Sequence, residues 1–261
     1  KMDQGKAFGA AVMVGSDGTM DIATMIKSGG SFVPADMVGT WYAYVTAIDP
    51  ATGAVYWAYG TIAVDSSGGV TGTFNAPDGS TASVTEGTLS LDGNGVITGS
   101  TTLSTGTTST IVQGKLDQGK SFGVYLSLGE DQSMRIGYLH KAGEGFLPDE
   151  GEGYWYMYGL ITDLTIPAFY WAYGRAVVDG SENVAGVVTV PSGDSLGATG
   201  TAALDENGIW SGALEFANGD TATIVSGKLN PNRSNFTGAM ANPSGSLSLW
   251  QFIKGSSYLY F

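Results

Sequence analysis

The chain contains no cysteine and only one histidine among its 261 residues. Without cysteine it cannot form a disulfide, a thiolate metal site or a thiol nucleophile. His140 is the sole histidine, and the equivalent positions of the repeats described below hold Ile26 and Ile253. One histidine cannot support a Ser–His–Asp arrangement in each repeat. We therefore expect His140 to be an ordinary strand residue, and we predict no metal and no cofactor.

Positive charge is also scarce. The chain has 11 basic and 24 acidic residues, for a net charge of −13, and its lysines and arginines form no cluster. A nucleic-acid binder needs a basic face, and so does a protein that binds anionic lipid. The longest apolar runs, such as Phe8–Val14, fall well short of a membrane span. We predict no nucleic-acid partner and no membrane insertion.

What the chain does contain is a long internal repeat. Gly39-Thr-Trp41 returns 114 residues later as Gly153-Tyr-Trp155, and Tyr56–Gly60 returns at the same spacing as Tyr170–Gly174. Such self-similarity is typical of repeated structural units. The spacing falls to 113 by the Asp-x-Asn-Gly turn that begins at Asp92, so one residue has been lost between the copies.

The repeats divide the chain into three segments. Residues 1–28 match the last part of a unit, residues 39–141 form a first full copy and residues 153–255 form a second, with linkers at 29–38 and 142–152. We predict a partial repeat followed by two complete domains. The order of the segments also suggests a piece of a longer tandem array.

Each full copy alternates apolar and polar residues with a period of two, and turn residues recur every 8 to 13 positions. This pattern is typical of short antiparallel strands. Closing the last strand on the first would remove both exposed sheet edges. We predict tandem eight-stranded up-and-down meander barrels with essentially no helix; open coiled meander sheets or β-sandwiches are the alternative. The strands predicted in the first copy are 40–48, 54–65, 69–75, 81–91, 96–103, 107–116, 121–128 and 132–140.

Gly39-Thr-Trp41 at the start of an eight-stranded meander resembles the opening of lipocalin and avidin barrels. This resemblance implies that Trp41 and Trp155 plug one end of each barrel. It also implies a basic residue over each tryptophan, for which Lys141, Lys254 or Arg135 qualify. A lipocalin-like cavity would be expected in each barrel, and the replacement of Ala43 by Met157 indicates that the two interiors differ.

Aromatic residues occupy both faces of the first two strands of each copy. One face must belong to the core, whereas the other either packs against a neighbouring unit or offers a stacking platform for a ligand such as a sugar. We expect the tyrosines of the first strand to point outward. The candidate ligand-binding residues are Tyr42, Tyr44, Trp57, Tyr59, Tyr156, Tyr158, Trp171 and Tyr173.

The acidic residues give no convincing catalytic site. The aspartates of Asp-x-x-Gly turns are expected to bond their own backbone, since a calcium loop needs further oxygen ligands; these are Asp65, Asp92, Asp179 and Asp205. Glu86 and Glu215 lie in strands at positions that are not equivalent in the repeat. The run of acidic residues within 149–152 is expected to be solvated. We predict no catalytic residue.

Three functions remain open on these patterns. The first is a non-enzymatic, secreted or cell-surface bacterial protein with a structural, self-assembling or adhesive role, whose partner is itself or a surface glycan. The second is lipocalin-like binding of a small molecule or a carbohydrate in or on the barrels. The third is a carbohydrate-active enzyme, which would require two carboxylates in one cleft.

Overall fold

The computed structural model describes residues 8–14, 20–49, 53, 55–76, 78–163, 168–243 and 247–255. It contains two closed eight-stranded antiparallel barrels. Two single-turn 3-10 helices, Pro34–Met37 and Pro148–Gly151, are the helical elements in this part of the chain. The predicted fold of tandem eight-stranded meander barrels with essentially no helix is therefore confirmed, and the alternatives of open sheets and sandwiches are wrong.

The first barrel closes strand β10 onto strand β3, and Lys141 lies opposite Trp41 at the end of that pairing. Every other neighbour in the barrel is the next strand along the chain, because short turns connect them all. Its strands are β3 (Gly39–Ile48), β4 (Val55–Val64), β5 (Val70–Asn75), β6 (Thr81–Leu91), β7 (Val96–Leu103), β8 (Thr108–Leu116), β9 (Phe122–Gly129) and β10 (Met134–Lys141).

The second barrel closes in the same way, with β18 paired to β11 and Lys254 opposite Trp155. Its strands are β11 (Gly153–Asp163), β12 (Ala168–Val178), β13 (Asn183–Thr189), β14 (Ser195–Leu204), β15 (Trp210–Phe216), β16 (Thr221–Leu229), β17 (Asn235–Ala241) and β18 (Leu247–Lys254). The chain divides into two compact units, residues 26–142 with the first barrel and residues 1–25 and 143–261 with the second.

A two-stranded hairpin precedes the barrels. It consists of β1 (Phe8–Val14) and β2 (Met20–Ile26). By sequence it corresponds to β9 and β10, the last two strands of the first barrel. The interpretation of residues 1–28 as a partial repeat stays a prediction, and residues 1–7 and 15–19 lie outside the described residues.

A β-bulge accounts for the residue lost between the two copies. In the first barrel the register of β6 against β7 shifts between Val84 and Glu86, whereas β14 pairs with β15 without a shift. A bulge places one extra residue in a strand and bends it locally. The change of spacing from 114 to 113 therefore marks a local feature of one strand and leaves the strand number unchanged.

Candidate functional site

The first barrel encloses a cavity of about 490 Å³. Alternation along the strands turns every second side chain inward, and on three of the lining strands that side chain is small: Ala47, Ala58 and Ala82. The volume lies within the range of about 300–1,000 Å³ that is usual for small-molecule sites. The interior of this barrel is therefore large enough for a ligand.

The cavity has one apolar wall and one polar wall. The apolar wall is formed from several strands by large buried or partly buried side chains, namely Ile62, Phe74, Leu89 and Leu139. The polar wall lies on the neighbouring strands β8, β9 and β10 and consists of Ser109, Tyr125, Ser127 and Arg135. A molecule in the cavity would therefore contact both hydrocarbon and hydrogen-bonding groups.

Arg135 is the one charged residue among those that line the cavity in the described part of the chain. It lies opposite Ser127 in the sheet, and the Ser109 hydroxyl donates to the Ser127 hydroxyl over 3.0 Å. Arg135 Nη2 donates to Ser133 Oγ at 2.9 Å and lies 3.8 Å from Asp131 Oδ1. The Arg135 side chain is only 14 % exposed, so it is a largely buried cation.

Tyr125 contributes a hydroxyl to the polar wall. A Cβ atom at Gly137, the residue opposite in the sheet, would lie 2.0 Å from Tyr125 Cζ, so the ring requires glycine there. Burial raises the pKa of Tyr125 to about 12, although the nearby charge of Arg135 lowers it in part. The phenol is therefore protonated at neutral pH and can donate a hydrogen bond.

Trp57 lies beside the cavity on the other face of β4, because alternation turns its neighbour Ala58 inward and its own ring packs 5.8 Å from that of Tyr59. Its side chain is 3 % exposed, and no described residue accepts a hydrogen bond from its buried Nε1. An unpaired buried N–H group is costly. On that face of β4, this donor therefore faces away from a molecule held in the cavity.

The closed end of the first barrel is built around Trp41, which is fully buried. Its Nε1 donates to Met37 O at 2.7 Å, and Lys141 Nζ donates to Asp36 O at 2.7 Å while lying 5.3 Å from the indole centroid. Gly39 has a φ of +119°, a conformation that favours glycine. Arg135 instead lines the cavity, so the suggestion that it could serve as the residue over Trp41 is wrong.

The second barrel repeats this arrangement. Trp155 Nε1 donates to Gly151 O at 2.9 Å, and Lys254 Nζ donates to Glu150 O at 2.6 Å and lies 5.4 Å from the Trp155 centroid. Burial lowers the pKa of Lys254, as it does that of Lys141. The Glu150 carboxylate binds Arg233 Nε at 2.8 Å. The expectation of a merely solvated acidic run is wrong at Glu150, because its side chain and its carbonyl both hold the closed end together.

The interior of the second barrel is filled. The void that remains is about 30 Å³. Large side chains, each no more than 7 % exposed, occupy the space that is open in the first barrel: Met157, Trp210, Phe236, Met240, Trp250 and Phe252. The lipocalin-like expectation of a cavity in each barrel therefore holds for one barrel and is wrong for the other.

The predicted aromatic platform is only partly accessible. Tyr44 is 1 % exposed and Trp57 is 3 % exposed, so neither can present a ring face to a ligand in solution. The Tyr44 ring instead meets the His140 ring edge-on, with centroids 6.1 Å apart. Tyr42, Tyr59, Tyr156, Tyr158 and Trp171 are half-buried.

Trp171 and Tyr173 form the most regular aromatic pair. Their rings are parallel within 2°, and their centroids are 5.6 Å apart. Tyr173 is 42 % exposed and lies opposite Tyr158 in the sheet. The second barrel thus carries a partly exposed aromatic strip on β11 and β12.

The remaining polar candidates have structural explanations. His140 is fully buried, and its ring packs 4.9 Å from that of Phe122. Asp92 Oδ1 accepts hydrogen bonds from the amides of Asn94 and Val96 at 2.8 Å, and these bonds lower the pKa of Asp92. The same geometry recurs at Asp65, Asp179 and Asp205. The turn aspartates therefore stabilise turns.

No site for acid–base chemistry or metal binding emerges from the described residues. Glu86 and Glu215 are exposed and belong to different barrels. No three histidine or acidic side chains of the described segments come together in a way that would hold a metal ion.

Comparison of the two copies points to the residues of the polar wall. Tyr125 and Arg135 correspond to Gly238 and Ser248 in the second copy. These exchanges are visible without coordinates. Their importance depends on both positions facing the interior of the same barrel, and the sequence pattern alone does not show this.

No helix among the described residues has the length and apolarity needed to cross a membrane.

Comparisons with known proteins identify no family for this chain. No family model matches the sequence, and no curated protein matches it.

Several solved structures match this chain over most of its length. Transferrin-binding protein B of Neisseria meningitidis is 13 % identical, with a TM-score of 0.38 over 91 % of this chain and 59 % of that one. A mutant of the same protein from Haemophilus parasuis is 10 % identical, with a TM-score of 0.40 over 96 % and 52 %. A protein of unknown function from Nostoc punctiforme is 11 % identical, with a TM-score of 0.29 over 85 % and 97 %. The chain spans between half and three fifths of the two transferrin-binding proteins, and at these scores the likeness assigns no function.

Proposed function

We propose that this chain is a non-enzymatic binding protein whose first barrel holds a small, largely apolar molecule. One observation carries the proposal. The first barrel encloses about 490 Å³, whereas the second copy of the same repeat leaves about 30 Å³. Protein interiors are normally packed as densely as organic crystals, with few voids larger than a water molecule. A cavity of this size in only one of two repeated barrels therefore supports the binding of a small molecule.

The fold itself does not impose the cavity. Both barrels have eight strands, the same closure and the same tryptophan and lysine at the closed end. The second barrel shows that this framework can be filled by side chains alone. The open interior is thus a property of the side chains in the first copy, in which Thr101 and Ser127 stand where the second has Leu214 and Met240.

Titration of the intact chain with Nile red, a neutral apolar dye, tests the proposal. We expect a single site per chain, with dye fluorescence rising on transfer to an apolar environment. The variant Thr101→Leu/Ser127→Met copies two residues of the filled barrel into the hollow one. It should weaken dye binding at least tenfold while keeping the melting temperature of the parent.

The matched control is Thr110→Leu, which adds similar bulk to an exposed position on β8 and should leave dye binding unchanged. The proposal fails if the intact chain binds no apolar probe. It also fails if the filled variant binds the dye as tightly as the parent.

A second candidate function rests on the parallel pair of Trp171 and Tyr173. Sugars stack on aromatic rings through their apolar faces, and a flat, partly exposed pair suits such contacts. Glycan-array binding by the intact chain, lost in Trp171→Ala and Tyr173→Ala but kept in the cavity-filled variant, would support a glycan partner. An array with no binder would exclude it. Placement outside a bacterial cell, and a structural, self-assembling or adhesive role, stay predictions beside these two.

A further inference from the structure

We infer that the ligand of the first barrel is an anionic amphiphile, with a carboxylate-like head group bound by Arg135 at the mouth of the barrel and an apolar tail in the cavity. This inference rests on the proposed function and names the chemical class of its ligand. Four features of the first barrel support it: the position of Arg135, its free donors, the charge of the lining and the comparison with the second barrel.

Arg135 lies at the end of the barrel remote from the plug. On β10, Lys141 is opposite Trp41 at the closed end, whereas Arg135 is opposite Ala47. Six residues of strand separate Arg135 from Lys141, which corresponds to roughly 20 Å. The apolar wall reaches from Ala47 towards the closed end, where Leu139 borders the cavity. A tail inserted towards Leu139 would therefore leave its head group beside Arg135.

The guanidinium of Arg135 has donors to spare. It carries five N–H groups in a planar fork that suits a carboxylate. Within the described residues, Nη2 is bound by Ser133, and neither Nε nor Nη1 has an acceptor. Asp131 is 3.8 Å away and its side chain is 61 % exposed, so it offers only a weak, solvent-screened pairing.

The charge of the lining favours an anion. Among the residues that line the cavity, Arg135 is charged and none is acidic, although the chain as a whole carries a net charge of −13. A largely buried cation is stabilised when an opposite charge is brought to it. A cationic head group would meet repulsion at the same place.

The second barrel gives independent support. It has Ser248 at the position of Arg135, Gly238 at that of Tyr125 and Met240 at that of Ser127. The cation, the phenol and the cavity thus occur together in one copy and are absent together from the other. A structural role of Arg135 in holding the barrel closed would be expected in both copies, as is the case for Lys141 and Lys254.

Three probes with the same decyl tail separate the head groups: decanoate, decanol and decyltrimethylammonium. Calorimetric titration of the intact chain at neutral pH should show decanoate binding roughly tenfold to a hundredfold more tightly than decanol, as expected for a charge-assisted hydrogen bond. Decyltrimethylammonium should bind more weakly than decanol.

Three variants locate the effect. Arg135→Gln should remove most of the preference for decanoate, so that decanoate and decanol bind with similar affinity. Tyr125→Phe keeps the ring and should cost decanoate a few-fold, roughly the contribution of one neutral hydrogen bond. Arg135→Lys keeps the charge without the planar fork and should retain part of the preference, which also covers the case in which Arg135→Gln does not fold.

The outcomes distinguish this inference from the proposed function. If decanol and decanoate bind equally to the intact chain, the anionic class is wrong while the apolar site stands. The same conclusion follows if Arg135→Gln and Arg135→Lys both keep the full preference for decanoate. If none of the probes binds and Nile red does not bind either, the proposed function itself fails.

Discussion

The two barrels share a framework and differ in their interiors. The closed ends are held by equivalent contacts. The tryptophan Nε1 donates to a backbone carbonyl at 2.7 Å in the first barrel and 2.9 Å in the second, and the lysine Nζ lies 5.3 and 5.4 Å from the indole centroid. The cavities, about 490 and 30 Å³, are not equivalent. Strand closure and the contacts at the closed end are therefore common to both barrels, whereas the inward side chains determine whether the interior is hollow or filled.

The difference between the interiors is clearest where a large aromatic ring packs over a glycine of the neighbouring strand. In the first barrel the Tyr125 ring lies over Gly137, and in the second the Trp250 ring lies over Gly159, since a Cβ atom at Gly159 would be 2.4 Å from Trp250 Cδ2. Trp250 is the repeat equivalent of Gly137. The pair of a large ring and the glycine beneath it has thus moved by one strand, from β9 and β10 in the first barrel to β18 and β11 in the second, which are the equivalents of β10 and β3.

The largest expected effect comes from opening the filled barrel. Trp250→Ala removes a side chain that is 3 % exposed in a packed core, and we expect it to lower the free energy of unfolding of the second barrel by about 3–5 kcal/mol. Tyr125→Ala in the first barrel should cost less, on the order of 2 kcal/mol, because the Tyr125 ring already borders a cavity. Hydrogen exchange followed by mass spectrometry would resolve the strands of each barrel.

Equal losses of protection in the two variants would contradict this comparison, because they would mean that both rings sit in equally packed surroundings. A matched control is Val225→Ala, since Val225 is 41 % exposed on the second barrel and its truncation should change protection little.

Much of the framework could be predicted from the sequence. The period of two, the regular turns and the Gly-x-Trp repeat were sufficient for strand number, antiparallel order and closure, since those depend on local patterns and on short connections. The exchange of Ala43 for Met157 indicated in addition that the interiors differ. The aspartate turns followed from local chemistry in the same way.

The site could not be predicted in the same way. Tyr44 and Trp57 look like surface aromatics by alternation, yet both are buried, and burial depends on packing that alternation does not specify. The last strand of the first barrel holds two basic residues, Arg135 and Lys141, and the sequence pattern does not decide which of them lies over the tryptophan at the closed end. The true surroundings of Arg135 depend on the register between β10 and β3, which pairs it with Ala47.

A smaller effect on stability is expected from the contact between the Tyr125 ring and Gly137. Gly137→Ala would place a Cβ atom 2.0 Å from Tyr125 Cζ, and such overpacking should cost about 1–3 kcal/mol. Tyr125→Gly removes the collision, so Gly137→Ala should cost much less in that background. A double-mutant cycle on the free energy of unfolding measures the coupling.

The same cycle in the second barrel pairs Gly159→Ala with Trp250→Gly. We expect a coupling of the same sign in both barrels. Additive effects in either cycle would show that the glycine is not required by the ring above it, and the shift of the pair by one strand would then have no physical basis.

The closed ends also differ in one respect that pH can test. Lys115 and Lys228 are repeat equivalents that donate to Asn94 O and Asn207 O. Lys228 Nζ lies 4.4 Å from the Phe146 centroid, whereas Lys115 Nζ lies 5.6 Å from that of Phe32. Lys228 is fully buried.

Burial lowers the pKa of Lys228 from 10.5 to about 8, with Arg233 adding to the decrease and Asp205 opposing it. At a pH between these two pKa values, Lys228 is protonated in the unfolded chain and neutral in the folded chain. Raising the pH therefore removes a proton from the unfolded chain only, and the stability of the second barrel should rise. We expect a gain of about 2 kcal/mol between about pH 7 and about pH 9.5 from this residue. Lys228→Met should lose that gain, and the difference between parent and variant cancels groups that titrate in both. A parent and a variant whose unfolding free energies change in parallel with pH would show that the buried lysine is not what distinguishes the closed end of the second barrel.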